Sequence, residues 1–81
     1  MTISDVRLAE SSITFFLAGD MSLGCAPVIN LLIRRSQKLG LSVHFNVSGI
    51  TDVDPELNRY VSRWRAQGVA VGVAAACEFS G

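Results

Sequence analysis

Three carboxylates occupy alternate positions of one short stretch: Asp52, Asp54 and Glu56, within SVHFNVSGITDVDPEL from Ser42 to Leu57. Acidic residues so placed have three uses. They can cap a helix and offset the positive end of its dipole, an effect of ~0.5–2 kcal/mol. They can form an acidic contact patch for a partner. They can hold a divalent cation, although D-x-D-x-E has neither the glycine nor the ligand count of a calcium loop. His44 is the only histidine. A general base needs an orienting partner and a nucleophile, and no Ser-His-Asp or Cys-His arrangement can be read here. His44 therefore reads as a hydrogen-bonded residue on a polar sheet face. Cys25 and Cys77 stand far apart in no metal spacing, as reduced thiols of a cytoplasmic protein would. Cys25, near a helix start, reads as a packed thiol. Neither G-x-x-x-x-G-K nor G-x-G-x-x-G occurs, so nucleotide binding has no motif behind it. These residues lead us to expect no enzyme, no cofactor and no resident metal.

The bulk composition narrows the partners. Eighty-one residues make one domain, spanning 1–81, and a chain of that size buries only ~60–65% of its unfolded surface. Apolar residues are 49% and charged residues 17%, against a usual charged share of about 25%. That shortage of polar surface predicts a homo-oligomer, a dimer in the simplest case, or a standing partner surface. Seven basic and seven acidic side chains cancel, so nothing is built to neutralise a phosphate backbone, and nucleic acid is not expected. There is no apolar run of about 18 residues for membrane insertion. The opening MTISDVRLAE carries charges where a signal peptide has its apolar core, so a cytoplasmic location is expected.

The elements that must hold the acidic stretch follow from periodicity. Ile3–Ala9 alternates as a charged edge strand. Glu10-Ser11-Ser12 is a turn, and ITFFLA, Ile13–Ala18, is a strand ended by Gly19-Asp20. A helix from about Ser22 to Lys38 follows, with Ser22 as its cap and Pro27 near its start, so that regular helix begins either near Leu23 or near Ala26. Its apolar stripe is Val28, Ile29, Leu31, Leu32, Ile33 and Leu39, and Gly40 stops it. Leu41–Val47 is the next strand, and Ser48–Asp54 reads as a loop. Asp54 caps a second helix beginning at Pro55, with Leu57, Tyr60, Val61 and Trp64 at i, i+3, i+4 and i+7 as its inner face. Arg59, Arg63 and Arg65 take the outer face. Gly68 ends this helix, Val69–Ala75 is the last strand, and Cys77–Gly81 is a frayed tail.

The order β-β-α-β-α-β implies two right-handed parallel crossovers. The larger strand residues, Ile13, Phe15, Leu17, Val43, Phe45, Val47, Val69, Val71 and Val73, share one face. The other face carries Thr14, Phe16, Ala18, His44, Asn46, Ala70, Gly72 and Ala74. The expected fold is therefore a two-layer α/β domain, a four-stranded mixed sheet with both helices on one face. The small-to-polar face would meet solvent or a second chain. There, Ala70, Gly72, Ala74 and His44 offer an alternative function, a small-ligand site at a homo-oligomer interface.

Three segments carry a family resemblance. FFLAGDMS, Phe15–Ser22, looks like a strand, glycine, acidic, apolar and polar entry to a first helix. VHFNVSGITDVDPEL, Val43–Leu57, looks like a strand followed by D-(S/T)-S-G-L. RAQGVAVGVAAA, Arg65–Ala76, looks like a helix end and strand of the form A-x-x-G-x-x-V. Over roughly residues 10 to 76 the chain resembles the STAS family, the domain of anti-sigma-factor antagonists and of sulfate-transporter tails. Small stand-alone members of that family serve bacterial phospholipid-trafficking transporters. The resemblance implies a non-catalytic, regulatory protein–protein interaction module that binds through the loop and the start of the second helix. Carried onto this chain, the contact residues are Ser48, Thr51, Asp52, Asp54, Glu56, Asn58, Arg59 and Ser62. Phospho-switched members have Ser or Thr right after the loop aspartate. Here Pro55 and Glu56 follow Asp54, and Glu56 takes the acceptor position with about one charge, against ~1.5–2 for a phosphate. Ser48 and Thr51 are the remaining acceptor candidates. Family members usually continue past the fourth strand with a further helix, so apolar surface left bare here would favour self-association.

Overall fold

In the computed structural model, residues 1–72 are described. Strands β1 (Thr2–Leu8) and β2 (Ser12–Met21) form a hairpin. One turn of 3-10 helix (Leu23–Cys25) leads into helix α1 (Ala26–Lys38). Strand β3 (Ser42–Val53), helix α2 (Leu57–Ala66) and strand β4 (Ala70–Gly72) follow. The sheet order is β1-β2-β3-β4, antiparallel in the first pair and parallel in the other two. This is the expected two-layer β-β-α-β-α-β domain with a mixed sheet. Residues 73 to 75 of the expected last strand, Cys77 and the tail to Gly81 lie outside the described residues.

The core explains the layering. Phe15, Leu17, Val43 and Phe45 point from the inner strands toward Ile29 and Ile33 of α1 and Leu57 and Trp64 of α2. Phe15 and Phe45, register partners, stack with centroids 5.4 Å apart. Trp64 is 1% exposed, and its indole N–H donates to Asn30 Oδ1 at 2.7 Å. That bond joins the two helices and satisfies a donor that burial would otherwise strand. Both helices end alike. Gly40 and Gly68 lie at φ +79° and +89°. Leu41 N–H then reaches Ser36 O, and Val69 N–H reaches Trp64 O, both at 3.0 Å. These paired turns close the last carbonyls and send the chain into the next strand.

Four expectations change. The helix α1 stripe is narrower than the sequence suggests: Ala26, Ile29 and Ile33 are buried and Leu32 is half-buried, while Val28, Leu31 and Leu39 are exposed. A helix lying on one sheet presents only one ridge to it, and 26, 29, 33 and 36 form that ridge. Ser22 Oγ accepts no backbone N–H as a cap, and of the two starts left open, near Leu23 or near Ala26, regular α-helix takes Ala26, after the 3-10 turn. Strand β2 does not end at Gly19-Asp20 but runs to Met21. Strand β3 continues through the expected loop to Val53.

Candidate functional site

The last change rebuilds the site. Strands β2 and β3 pair evenly from Ser12↔Ser42 to Phe16↔Asn46. The register then shifts between Phe16 and Ala18 and again between Gly19 and Asp20, yet pairing resumes as far as Met21↔Val53. Gly19 takes φ +88°, a conformation that costs glycine little and an L side chain more. At Gly49 a Cβ would lie 2.8 Å from the Leu17 carbonyl oxygen, so the strands cross closely there. Such irregularities sharpen the twist and re-aim side chains. Polar and glycine content makes residues 48–54 read as a loop. Their backbone groups instead find a partner strand that itself runs longer than its composition suggests.

At the end of this ladder the acidic stretch turns into α2. Asp54 N–H donates to Met21 O, and Leu57 N–H to Asp54 O, each at 2.9 Å. Asp54 Oδ1 accepts the Glu56 N–H at 2.9 Å, a bond within the turn that precedes α2. Asp54 is not the expected helix cap, because the N-cap is Glu56, which makes no side-chain cap bond. Residues 55 and 56 form a tight turn rather than α-helix, closed by Asn58 N–H to Pro55 O at 3.1 Å, so regular helix starts at Leu57. Thr51 Oγ1 donates to Asp20 Oδ1 at 3.0 Å. Asp20 is also the register partner of Asp52. Glu56 and Arg59 form an exposed ion pair at 4.0 Å. A cavity of about 90 Å³ beside them is lined by Leu23, Glu56, Arg59, Tyr60 and Arg63.

The structure thus gathers Thr51, Asp52, Asp54, Glu56 and Arg59 at one end of the sheet. It adds Asp20, a residue that sequence reasoning used only as a strand terminator, although it stands in the quoted FFLAGDMS segment. Asn58 and Ser62 lie exposed one turn apart on α2. Ser48 is tied elsewhere: its N–H and Oγ both donate to Asn46 Oδ1, at 3.0 and 2.7 Å. The tip carries four carboxylates and a single nearby guanidinium pair. Two aspartates in register disfavour each other, and a cationic or donor-rich surface would relieve that. Among the described residues no three His, Cys, Asp or Glu side chains gather as a metal ion would need.

The opposite sheet face also differs from expectation. His44 lies in register with Thr14 and Ala70, and Asn46 with Phe16 and Gly72. His44 is 9% and Asn46 3% exposed, so neither is the surface residue that the alternation suggests. Both sit on an inner strand with neighbours on either side, and the Arg7 guanidinium lies 5.2 Å over the Phe16 ring in the same layer. Burial lowers the His44 pKa from its ordinary 6.5. Ala74, the fourth residue of the alternative ligand site, lies outside the described residues. Cys25 is a buried free thiol. Among the described residues no helix is long and apolar enough to cross a membrane.

With this geometry in hand, the class is a small mixed-sheet α/β domain whose helices share one face. The crystal structure of Mglu is similar to it, with a TM-score of 0.65 at 20% identity over 88% of this chain. The match takes in 19% of the Mglu chain, so this chain spans about a fifth of that protein's length. The likeness shows the fold. No protein-family model matches the chain, and no curated protein does.

Proposed function

We propose that this domain is a non-catalytic, cytoplasmic interaction module of the STAS type, which binds another protein through the end of β3 and the first turns of α2. The observation that carries the reading is the convergence of Asp20, Thr51, Asp52, Asp54, Glu56 and Arg59 on one end of the sheet. In sheets with parallel strands, the carboxyl ends of those strands are where partners and ligands are usually met. Here β2 and β3 both deliver charged side chains to that end. The surface works by shape and charge. Asn58 and Ser62 border it. Glu56 holds a fixed negative charge where phospho-switched relatives of that type carry a modifiable hydroxyl, so recognition is constitutive at that position.

Affinity capture with the charge-reversed Asp52→Arg/Arg59→Glu variant tests this. Both residues are exposed, so the fold is kept and circular dichroism confirms it. The reading expects at least one protein held by the wild type to be lost. Retention of every captured protein by the folded variant contradicts it.

A further inference from the structure

A groove of about 360 Å³ runs between α1 and α2. Its walls are Asn30, Arg34 and Gln37 from α1 and Tyr60, Arg63 and Gln67 from α2 and its end. The spacings 30, 34, 37 and 60, 63, 67 place each set on one ridge of its helix. Ile33, 2% exposed, lies beneath. No acidic side chain among the described residues lines the groove. Among the described residues the ion pairs are Arg7–Asp5 and Arg59–Glu56, so Arg34 and Arg63 face each other's helix with no carboxylate partner. Arg63 is held over the Tyr60 ring at 5.8 Å. Asn30 has its carboxamide oriented by the Trp64 indole, which takes the oxygen and leaves the amide nitrogen as a donor.

We infer that this groove binds an extended acidic segment of a partner protein. Two guanidinium groups on opposite walls match two carboxylates, each able to accept a pair of hydrogen bonds. The carboxamides separate a peptide from a simple anion. Gln37 and Gln67 each donate and accept, and Asn30 donates, which suits a peptide backbone, whereas phosphate uses donors alone. The groove is short. From Tyr60 to Gln67 the helix rises roughly 10 Å at ~1.5 Å per residue, and about three extended residues cover that distance. The groove shares Tyr60 and Arg63 with the small cavity beside Glu56 and Arg59, while Arg34, Gln37 and Gln67 have no part in the sheet-end surface.

The test is an NMR titration of the ¹⁵N-labelled chain with the blocked peptide Glu-Asp-Leu-Glu-Asp. Its neutral counterpart Gln-Asn-Leu-Gln-Asn and inorganic phosphate are run at matched ionic strength. Saturable shifts confined to residues 30–37 and 60–67, including the Trp64 indole N–H, are expected with the acidic peptide and not with the neutral one. Arg34→Gln/Arg63→Gln, two exposed positions, should keep the remaining spectrum and weaken binding about tenfold. Phosphate that shifts the same residues and displaces the peptide would assign the groove to small anions and overturn the inference. Shifts scattered over the surface, shifts unchanged in the double variant, or none up to about 5 mM peptide would overturn it too.

Discussion

Gly49→Ala tests the close crossing of β2 and β3 on which the sheet-end surface is built. The added Cβ would stand 2.8 Å from the Leu17 carbonyl oxygen, 3.3 Å from Ala18 Cβ and 3.4 Å from Ala18 Cα. The first of these is a backbone atom, so no rotamer change relieves the clash and the strands must part. Overpacking of this kind costs ~1–3 kcal/mol, a sizeable share of the roughly 4–12 kcal/mol that holds a domain this small together. The melting temperature should fall by roughly 5–20 °C. The damage should be local. Beyond Ala18↔Gly49 lie Gly19↔Ile50, Asp20↔Asp52 and Met21↔Val53, with the Thr51–Asp20 bond and the Asp54 N–H to Met21 O bond. Urea denaturation measures the total, and amide hydrogen exchange measures its location. Faster exchange at Asp54 and along 50–53, with protection kept at 43–45, is the expected result. A variant as stable as the wild type, with unchanged exchange at Asp54, would refute the close crossing.

Four further outcomes follow from the packing. Phe45→Ala removes the stacked partner of Phe15 from a site 1% exposed and should cost ~3–5 kcal/mol, read from the urea midpoint. Asn30→Ala leaves the buried Trp64 indole N–H without its acceptor and should cost ~1–3 kcal/mol, with an upfield shift of the indole proton. His44 has a folded pKa lowered by burial, so the unfolded chain binds the extra proton more readily. Its contribution is fully present above pH 6.5 and is lost as pH falls toward the folded value. Urea midpoints between pH 5 and 8 should show that decline, and His44→Gln should flatten it. Asp5 Oδ1 accepts the Val6 N–H at 2.8 Å on the sheet's outer strand, so Asp5→Ala frees an edge donor. Concentration-dependent association by ultracentrifugation should then increase.

Much of the architecture was legible because it rests on periodicity. Leu57, Tyr60, Val61 and Trp64 mark α2, the glycines at 40 and 68 mark where both helices stop, and Phe15 with Phe45 marks the buried face. The end of the sheet was not legible, for a physical reason. Ser48-Gly49-Ile50-Thr51-Asp52 has turn composition, and only pairing with a β2 bent at Gly19 makes it strand. Strand formation depends on the neighbour as much as on the segment. The same pairing brings Asp20 beside Thr51 across 31 positions of sequence, a meeting no local pattern announces. Alternation placed His44 and Asn46 on the correct face and gave them the wrong exposure, since alternation reports direction and not what lies above. The basic groove arises from two helices that the sequence presents separately.

The proposed contact surface lies at the carboxyl ends of β2 and β3. Site-specific photocrosslinking in living cells probes it, with the reactive side chain placed in turn at Asp52, at Arg59 and at Glu10 in the turn at the opposite end of the sheet. Adducts of one defined mass at the first two positions and none at Glu10 are predicted. Equal labelling at all three positions, or adducts at Glu10 alone, would contradict the claim.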